Sequence, residues 1–341
     1  MIIMKKIYFT LIALLASINM FAQGWPANYS GVMLQGFSWD SYDYSQWTVL
    51  EKQADDMKGF IDLVWLPQSG KCIETTQVMG YKPYYYFNQN SSFGTEAELR
   101  SLIAKFKANG IGAIADVVVN HRNTNGWYTF PAETYKGVTY QMLSTDICKN
   151  DDGGATSTQA TKDGVSLSQN YDEGTDFGGC RDIDHKSANV QKIIKAYLKF
   201  LKEDIGYTGF RYDMVKGFSG THVADYNDAT GVKFSVGEYW DGNVINLKSW
   251  IAGTGSKSAA FDFTLYYNAL GPAFNSGNYG TLAGNPGLAG QFGYADKAVT
   301  FVDNHDTFVK PGSFTNNDNI MKAYAYILTH PGMPCVFFPH Y

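Results

Sequence analysis

Four acidic side chains stand where short apolar runs of this sequence come to an end. They are Asp116 in DVVVNH, Asp213 in GFRYDM, Glu238 in SVGEYW and Asp306 in FVDNHD. A single carboxylate in such a place is most often a helix cap or a solvated loop residue. Four of them, at the ends of strands that meet at one edge of a barrel, predict a shared site.

The spacing of these residues indicates a division of labour between two of the acids. Arg211 and Asp213 are two residues apart on a predicted strand, so their side chains share a face. We expect the guanidinium to keep Asp213 ionised, which suits a nucleophile. Glu238 lies one strand–helix–strand step further on, and the negative charge of its neighbours favours its protonated form, which suits a general acid.

Two carboxyl groups on neighbouring strands can lie about 5–5.5 Å apart, the separation that retaining glycosidases use. Two histidines, His121 and His305, flank the acidic strand ends and can donate hydrogen bonds to sugar hydroxyls. Isolated histidines are more often structural, but these two share their segments with acids of the predicted site.

The runs that carry the acids belong to a series of eight. Each is short, rich in β-branched or aromatic residues, and followed by polar loop residues. The runs are 31–37, 61–66, 112–119, 209–213, 233–238, 259–263, 298–302 and 334–338. Eight such runs separated by helical patterns predict an α/β fold, a parallel sheet closed as a (β/α)8 TIM barrel.

Helices are predicted between the runs from caps and from apolar spacing. Thr48 with Glu51, and Thr95 with Glu98, fit the capping box, in which a hydroxyl and a carboxylate satisfy free backbone amides. Apolar residues then recur at helical spacing over 99–106, 190–205 and 320–328.

The interval between the third and fourth runs is too long for one loop and one helix. Residues 121–183 are rich in Gly, Thr, Asn and Asp and show no long period, which predicts a functional excursion. We therefore expect an inserted domain B over 121–183, between a first barrel part (23–120) and a second (184–341). The last barrel helix and any later domain are expected to be missing after the eighth run.

Composition and charge exclude several classes of protein. The chain has 341 residues, 45% apolar, and a net charge of −5 with only four arginines. Phosphate neutralisation needs clustered cations, so no nucleic-acid partner is expected. Disorder and small disulfide scaffolds are excluded by the same composition.

The N-terminus has the pattern of a secretory signal. Lys5 and Lys6 precede a short apolar run, and Ala22 offers a small residue at a cleavage site, so residues 1–22 are predicted to be removed on export. A transmembrane anchor is the alternative, but the run is short and Asn19 interrupts it. We expect a secreted protein, extracellular or periplasmic, without a membrane span.

Export permits disulfides, so the four cysteines have two possible states. They lack the spacing of a CxxC metal motif and are either buried free thiols or include one bridge. Cys148 and Cys180 are the pair best placed for a bridge, because they bracket the polar insertion.

Five ordered segments resemble the signature regions of the α-amylase family of glycoside hydrolases. They are DVVVNH (116–121), GCRDIDH (179–185), GFRYDMVKG (209–217), GEYW (237–240) and FVDNHD (301–306). The likeness runs from GVMLQGFSWDSY (31–42) to HPGMPCVFF (330–338) and looks closest to plant-type and related bacterial members. It implies a (β/α)8 barrel with an inserted domain B and retaining hydrolysis of internal α-1,4 bonds in starch-like glucans.

The resemblance also implies roles for individual residues. Asp213 matches the family's nucleophile, Glu238 its acid/base, and Asp306 its transition-state-stabilising carboxylate. The positions that match its sugar contacts are Tyr81, His121, Arg211, Lys216 and His305. Lys216 matches a contact to the departing side of the glucan and favours an amylase over an enzyme that cuts α-1,6 bonds.

A structural Ca²⁺ is implied in the same way. Asn120, Asp176 and Asp182 match the family's side-chain ligands, and Gly179 and Gly217 its carbonyl ligands. Hard oxygen donors from the barrel and the insertion suit this ion.

Three alternatives to a hydrolase remain open from the sequence. A sugar hydroxyl can replace water, which makes the chain an α-glucan transglycosylase or branching enzyme. A non-catalytic starch-binding protein is a second alternative, and a truncated, misfolded product is a third. We expect an α-1,4-glucan as the partner of a monomeric protein.

Overall fold

The barrel is built from eight short strands. The computed structural model describes residues 31–74 and 76–341, and the predicted signal segment, residues 1–22, lies outside them. The barrel strands are β1 (Met33–Gln35), β2 (Leu63–Leu66), β3 (Gly112–Val117), β8 (Gly209–Tyr212), β9 (Phe234–Gly237), β10 (Ala259–Phe261), β11 (Ala298–Phe301) and β12 (Met333–Phe337). Neighbours in this order pair in parallel, and β12 returns to β1. The predicted closed barrel is confirmed.

The register of the strands places the predicted site at one end of the barrel. Asp116 on β3 lies opposite Arg211 on β8, and Arg211 lies opposite Val236 on β9. Beyond the ladder, Asp213 and Glu238 each donate a backbone N–H to the preceding strand's carbonyl, at 2.9 Å in both cases. β8 and β9 each end one residue before their apolar runs, and the residues that follow, Asp213 and Glu238, line the cleft.

Helices cover the outside of the barrel. They are α1 (Trp47–Gln53), α2 (Glu96–Ala108), α4 (Ala188–Lys199), α5 (Gly220–Thr230), α6 (Val244–Gly253), α7 (Phe263–Leu265) and α8 (Asn317–Ile327), while α3 (Ala155–Asp163) belongs to the insertion. The capping box of Thr95 and Glu98 is confirmed at the start of α2. The box predicted at Thr48 is wrong, because Thr48 lies inside α1, whose N-cap is Gln46, two residues earlier.

Two helical segments widen into π-helix. The turn after α4, Phe200–Ile205, is π-helical and ends at Gly206, whose φ of 105° is the left-handed conformation that glycine adopts without strain. After α7 the chain continues as a π-helix over Tyr266–Asn275. The apolar spacing predicted the helical path of the first segment but not its wider winding.

Residues 121–183 form a separate set of small elements beside the barrel. β4 (His121–Arg122) pairs antiparallel with β7 (Arg181–Asp182), and β5 (Glu133–Tyr135) pairs with β6 (Val138–Tyr140). The β4–β7 pair brings the two ends of the insertion together next to the end of β3. The predicted domain boundaries stay a prediction.

Two further features bear on the sequence analysis. All four cysteines are buried free thiols, so the considered Cys148–Cys180 bridge is not formed. In the part of the chain that the structure describes, every helix is too short or too polar to cross a membrane.

Candidate active site

One guanidinium joins three of the acids at the carboxyl end of the barrel. Arg211, at the end of β8, donates from Nη1 to Asp116 at 2.8 Å and to Asp213 at 2.6 Å. Its Nη2 lies 2.9 Å from Oε2 of Glu238. All four residues are buried, and Arg211 is only 1% exposed. The strand spacing therefore brought Arg211, Asp213 and Glu238 together as predicted.

The two carboxyl groups on β8 and β9 have different proton affinities. Burial raises the pKa of Asp213 to about 6, while the charge of Arg211 lowers this pKa and the charge of Asp116 raises it. Asp213 is still ionised at neutral pH, as expected, but its pKa is raised rather than lowered, because desolvation outweighs the guanidinium. Burial, followed by the charges of Asp213 and Asp306, raises the pKa of Glu238 to about 8 against the lowering effect of Arg211. Near neutral pH the pair therefore holds one ionised and one protonated carboxyl.

Local backbone structure fixes the position of Glu238. Its Oε2 accepts the backbone N–H of Met214 at 2.9 Å, and Met214 has a φ of 45°, in the left-handed region. Such a conformation is costly for a residue with a side chain and is concentrated at functional sites. Gly237, just before Glu238, packs on Trp250, where a Cβ would lie 2.1 Å from the indole. The turns after β8 and β9 are thus closely constrained.

The segment FVDNHD contains two aspartates, of which one is buried in the loop and the other faces the cleft. Asp303 is buried and accepts hydrogen bonds from Thr307 and from the backbone N–H of Phe314, which holds the loop after β11. Asp306 instead faces the cleft, with Oδ2 3.5 Å from Nε2 of His305. Only Asp306 is therefore placed beside Asp213 and Glu238.

The residues predicted to contact a sugar ring form one aromatic wall. The ring of Tyr81 stacks on His305 with centroids 5.4 Å apart, and Trp39 packs on both rings. Nε2 of His121 donates to the carbonyl of Tyr81 at 2.8 Å, and the ring stacks on Phe177 with centroids 3.9 Å apart. Burial lowers the pKa of His121 to about 4 and of His305 to about 3, so both rings are neutral at pH 7.

These groups open into a cleft of about 800 Å³. Its lining includes the three predicted catalytic acids, Tyr81, His121 and His305. It also includes residues that the sequence reasoning did not select, namely Trp39, Tyr42, Met79, Phe177, Trp240 and Lys310. Three of these carried a sequence signal, since Trp39 and Tyr42 lie within GVMLQGFSWDSY and Trp240 follows Glu238 within GEYW.

Lys216 lies beside the cleft rather than in its lining. Its ammonium is 3.5 Å from Asp241 and donates to the carbonyl of Trp240 at 3.3 Å. The lysine thereby braces the loop that carries Trp240. The ammonium of Lys310 lies 3.8 Å from the centroid of the same indole ring.

Three carboxylates cluster at the junction of the barrel and residues 121–183. Oxygen atoms of Asp151, Asp176 and Asp182 all lie within 4.8 Å of one another. Asn120 is 3.2 Å from Asp182, and Gly217 approaches Asn120 so closely that a Cβ would lie 1.8 Å from its Oδ1. Gly179 packs on the ring of Phe177. Asp151 was missed, because it is far in sequence from the matched motifs.

The donor set of this cluster fits Ca²⁺. It offers carboxylate and amide oxygens, the ligands that hard cations prefer. Burial and the adjacent Asp176 raise the pKa of Asp182 to about 9, because three ionised carboxylates would carry more negative charge than their neighbours compensate. Among the described residues Arg181 is the one cation paired with it, 2.7 Å from Asp151. A divalent cation would balance this excess.

Comparison with known proteins agrees with the fold and the motifs. Residues 61–338 match the family described as "Alpha amylase, catalytic domain". The chain is 33% identical to a probable alpha-amylase 2 of Arabidopsis thaliana, over 91% of this chain and 75% of that protein. It is also 33% identical to the chloroplastic alpha-amylase 3 of Arabidopsis thaliana, over 91% of this chain and 35% of the longer relative. A solved alpha-amylase from Malbranchea cinnamomea has a TM-score of 0.67 at 19% identity, covering 92% of this chain and 68% of its own, which shows the fold alone.

Proposed function

Because the chain belongs to the alpha-amylase family of glycoside hydrolases, we propose that it cuts internal α-1,4 bonds of starch-like glucans and retains the anomeric configuration. Activity on α-glucans follows from the family. The bond, the endo mode and the stereochemical course are the proposal, and they rest on the geometry of Asp213 and Glu238.

One observation carries the proposal. Asp213 and Glu238 contact the same guanidinium, at 2.6 and 2.9 Å, from neighbouring strands. Carboxyl groups that share one planar cation are close together, as a retaining mechanism requires, since an inverting one needs room for a water between them. Their pKa values, raised to about 6 and about 8, supply an ionised nucleophile and a protonated acid at the same pH.

The reaction then proceeds in two displacements. Glu238 gives its proton to the glycosidic oxygen as the bond from this oxygen to the anomeric carbon breaks. A carboxylate oxygen of Asp213 bonds to that carbon and forms a glycosyl-enzyme. Glu238, now ionised, takes a proton from water, whose oxygen displaces Asp213 and restores the acid.

The surrounding residues bind and orient the sugar. Asp306 faces the cleft and is placed to accept hydroxyl hydrogen bonds as positive charge develops on the ring. Tyr81 offers an aromatic face, while His121 and His305 are neutral, do not repel Arg211, and hold Tyr81 by hydrogen bonds to its carbonyl and its hydroxyl. Lys216 acts on the departing side through the Trp240 loop that it braces.

We propose that Asn120, Asp176, Asp182 and Asp151, with the carbonyls of Gly179 and Gly217, hold Ca²⁺. The bound ion supplies a structural cross-link between the barrel and residues 121–183. His121 follows Asn120 directly and stacks on Phe177, whose N–H donates to Asp182 at 3.0 Å. Fixing the side chains of this cluster would therefore also fix His121 in the wall of the cleft.

The test is hydrolysis of soluble starch, read as reducing ends, together with the anomer of the first products by proton NMR. We expect α-anomeric maltooligosaccharides, and loss of nearly all hydrolysis in Glu238→Gln with glucan binding kept. Glu203→Gln is the matched control, because Glu203 is exposed and remote from the cleft. Substantial activity in Glu238→Gln, or β-anomeric products, would contradict the assignment.

The same assay separates the alternatives. Rearranged or branched chains from amylose would indicate a transglycosylase, and binding without reducing ends would indicate a starch-binding protein. Export is proposed from residues 1–22, and N-terminal sequencing of the protein recovered outside the cytoplasm should begin near Gln23. A mature chain that retains Lys5 and Lys6 would contradict cleavage.

A further inference from the structure

A buried amide lies at the end of the aromatic wall. Gln35 is the last residue of β1 and is 0% exposed. Its Nε2 lies 2.9 Å from Nδ1 of His305, while its Oε1 has no partner among the described residues. Among the described residues, His305 is thus the hydrogen-bond partner of this side chain.

The contacts of His305 continue in a line to the barrel centre. Nε2 of His305 is 2.7 Å from the hydroxyl of Tyr81, and that hydroxyl is 3.2 Å from Oδ2 of Asp116. Asp116 is held at its other oxygen by Arg211 at 2.8 Å. Three consecutive contacts therefore join Gln35 to an acid of the Arg211 cluster.

The number of available protons decides which atom donates in each of these three hydrogen bonds. If Gln35 donates to Nδ1, then Nε2 carries the ring proton and donates to Tyr81, which donates to Asp116, so each contact has one proton. If the amide is turned over, Nδ1 carries the proton and Tyr81 must donate to His305. The hydroxyl would then face the carboxylate with lone pairs only, which is unfavourable in a buried site.

We propose that Gln35 is a positioning residue that holds His305 in the tautomer with the proton on Nε2. This nitrogen is the one directed at the cleft, since it lies 3.5 Å from Oδ2 of Asp306. In this tautomer the one N–H of the ring donates to the hydroxyl of Tyr81, which is thereby oriented toward Asp116, and the ring is held beside Asp306 in the cleft wall. That this tautomer matters for sugar binding rests on the proposed function, whereas the assignment of the tautomer itself does not.

The neighbours of His305 keep its ring neutral and fixed. The rings of Phe37, Trp39 and Trp65 enclose it with centroids 5.1, 5.5 and 5.6 Å away. The charged groups that act on it are Asp306, Arg211 and Lys310, of which Arg211 and Lys310 oppose protonation. A neutral ring has two tautomers, so a neighbour that donates to one nitrogen selects between them.

The direct test is the nitrogen-15 NMR spectrum of labelled protein at neutral pH, assigned to His305 by its loss in His305→Gln. We expect Nδ1 to show the shift of an unprotonated nitrogen and Nε2 that of a protonated one. The reverse pattern in the unsubstituted protein would overturn the proposal, whether or not the protein hydrolyses starch. Absence of hydrolysis with the expected pattern would instead count against the proposed function alone.

Two substitutions extend the test. Gln35→Glu places a carboxylate against Nδ1, so we expect that nitrogen to become protonated and kcat/KM on starch to fall about tenfold or more. Gln35→Met removes the donor without supplying an acceptor, so Nε2 should stay protonated through Tyr81 and the loss should be smaller. The control is Gln169→Glu at an exposed position. An unchanged Nδ1 shift and unchanged kcat/KM in a folded Gln35→Glu protein would overturn the proposal.

Discussion

The pKa of Asp213 depends on a neighbouring acid that we do not place in the chemistry. Asp116 contacts Nη1 of Arg211 together with Asp213, and its charge raises the pKa of Asp213. Substituting Asp116→Asn removes that charge and leaves Arg211 less neutralised. Both changes stabilise ionised Asp213, so they act in the same direction.

The magnitude follows from the geometry. The two carboxylate oxygens lie 2.8 and 2.6 Å from one nitrogen, so they are at most about 5.4 Å apart. Two unit charges at that separation interact with about 3 kcal/mol at an effective dielectric constant near 20. This energy corresponds to about two pKa units. Burial raises the pKa of Asp116 itself to about 6, so its charge is only partly present at the acid limb. This and relaxation of the site reduce the effect, and we expect a fall of at least about one unit rather than the full two.

The assay is the pH dependence of kcat/KM on soluble starch. The acid limb of such a profile reports the ionisation of the group that must be a base in the free enzyme, and the alkaline limb the group that must be an acid. The unsubstituted protein should show limbs near pH 6 and pH 8 for the coupled pair of Asp213 and Glu238. In Asp116→Asn the acid limb should move to lower pH by at least about one unit.

Two controls make the result decisive. Asp225→Asn removes an exposed acid on α5 and should leave both limbs in place. Thermal melting of Asp116→Asn shows that the measured protein is folded, which is needed because breaking a buried ion pair costs about 3–5 kcal/mol. An acid limb that stays in place or moves upward in the folded variant would refute the electrostatic reasoning.

Three further predictions concern stability. A chelator should lower the melting temperature and Ca²⁺ should restore it, whereas Asp182→Asn should melt at one temperature in both conditions; equal melting of the unsubstituted protein with and without Ca²⁺ would count against the site. Thr95→Ala removes the hydroxyl that accepts the N–H of Glu98 and should cost about 1 kcal/mol in urea unfolding, and no change would mean that the capping box contributes nothing. Gly237→Ala should cost about 1–3 kcal/mol or more and lower starch hydrolysis, since its Cβ would overlap Trp250 at 2.1 Å; a fully active, equally stable variant would contradict this packing.

The sequence was sufficient for the barrel because the information needed is local. Each strand is a short apolar run closed by polar residues, and each acid lies within a few positions of the end of its run. Parallel strands in a barrel end at the same face. Residues at the ends of neighbouring strands, such as Asp213 and Glu238, therefore converge whatever the details of side-chain packing. The same reasoning gave the shared face of Arg211 and Asp213.

Caps and windings were less predictable because alternatives compete for the same residues. Thr48 with Glu51 matches the capping pattern as well as Thr95 with Glu98 does, yet α1 begins at Trp47, whose N–H donates to the carbonyl of Phe93. A contact with a distant residue therefore overrode the local signal. The π-helical turn after α4 is likewise invisible in the apolar spacing.

The sequence by itself determined which residues reach the site, since spacing along strands and ordered motifs are properties of the chain. Only the tertiary structure decided their chemistry. Burial raises the pKa of Asp213 although Arg211 touches it, Asp151 joins two acids that are remote from it in sequence, and Gln35 reaches His305 across the barrel. Desolvation and contact depend on what packs around a group from every side, and no local pattern contains that information.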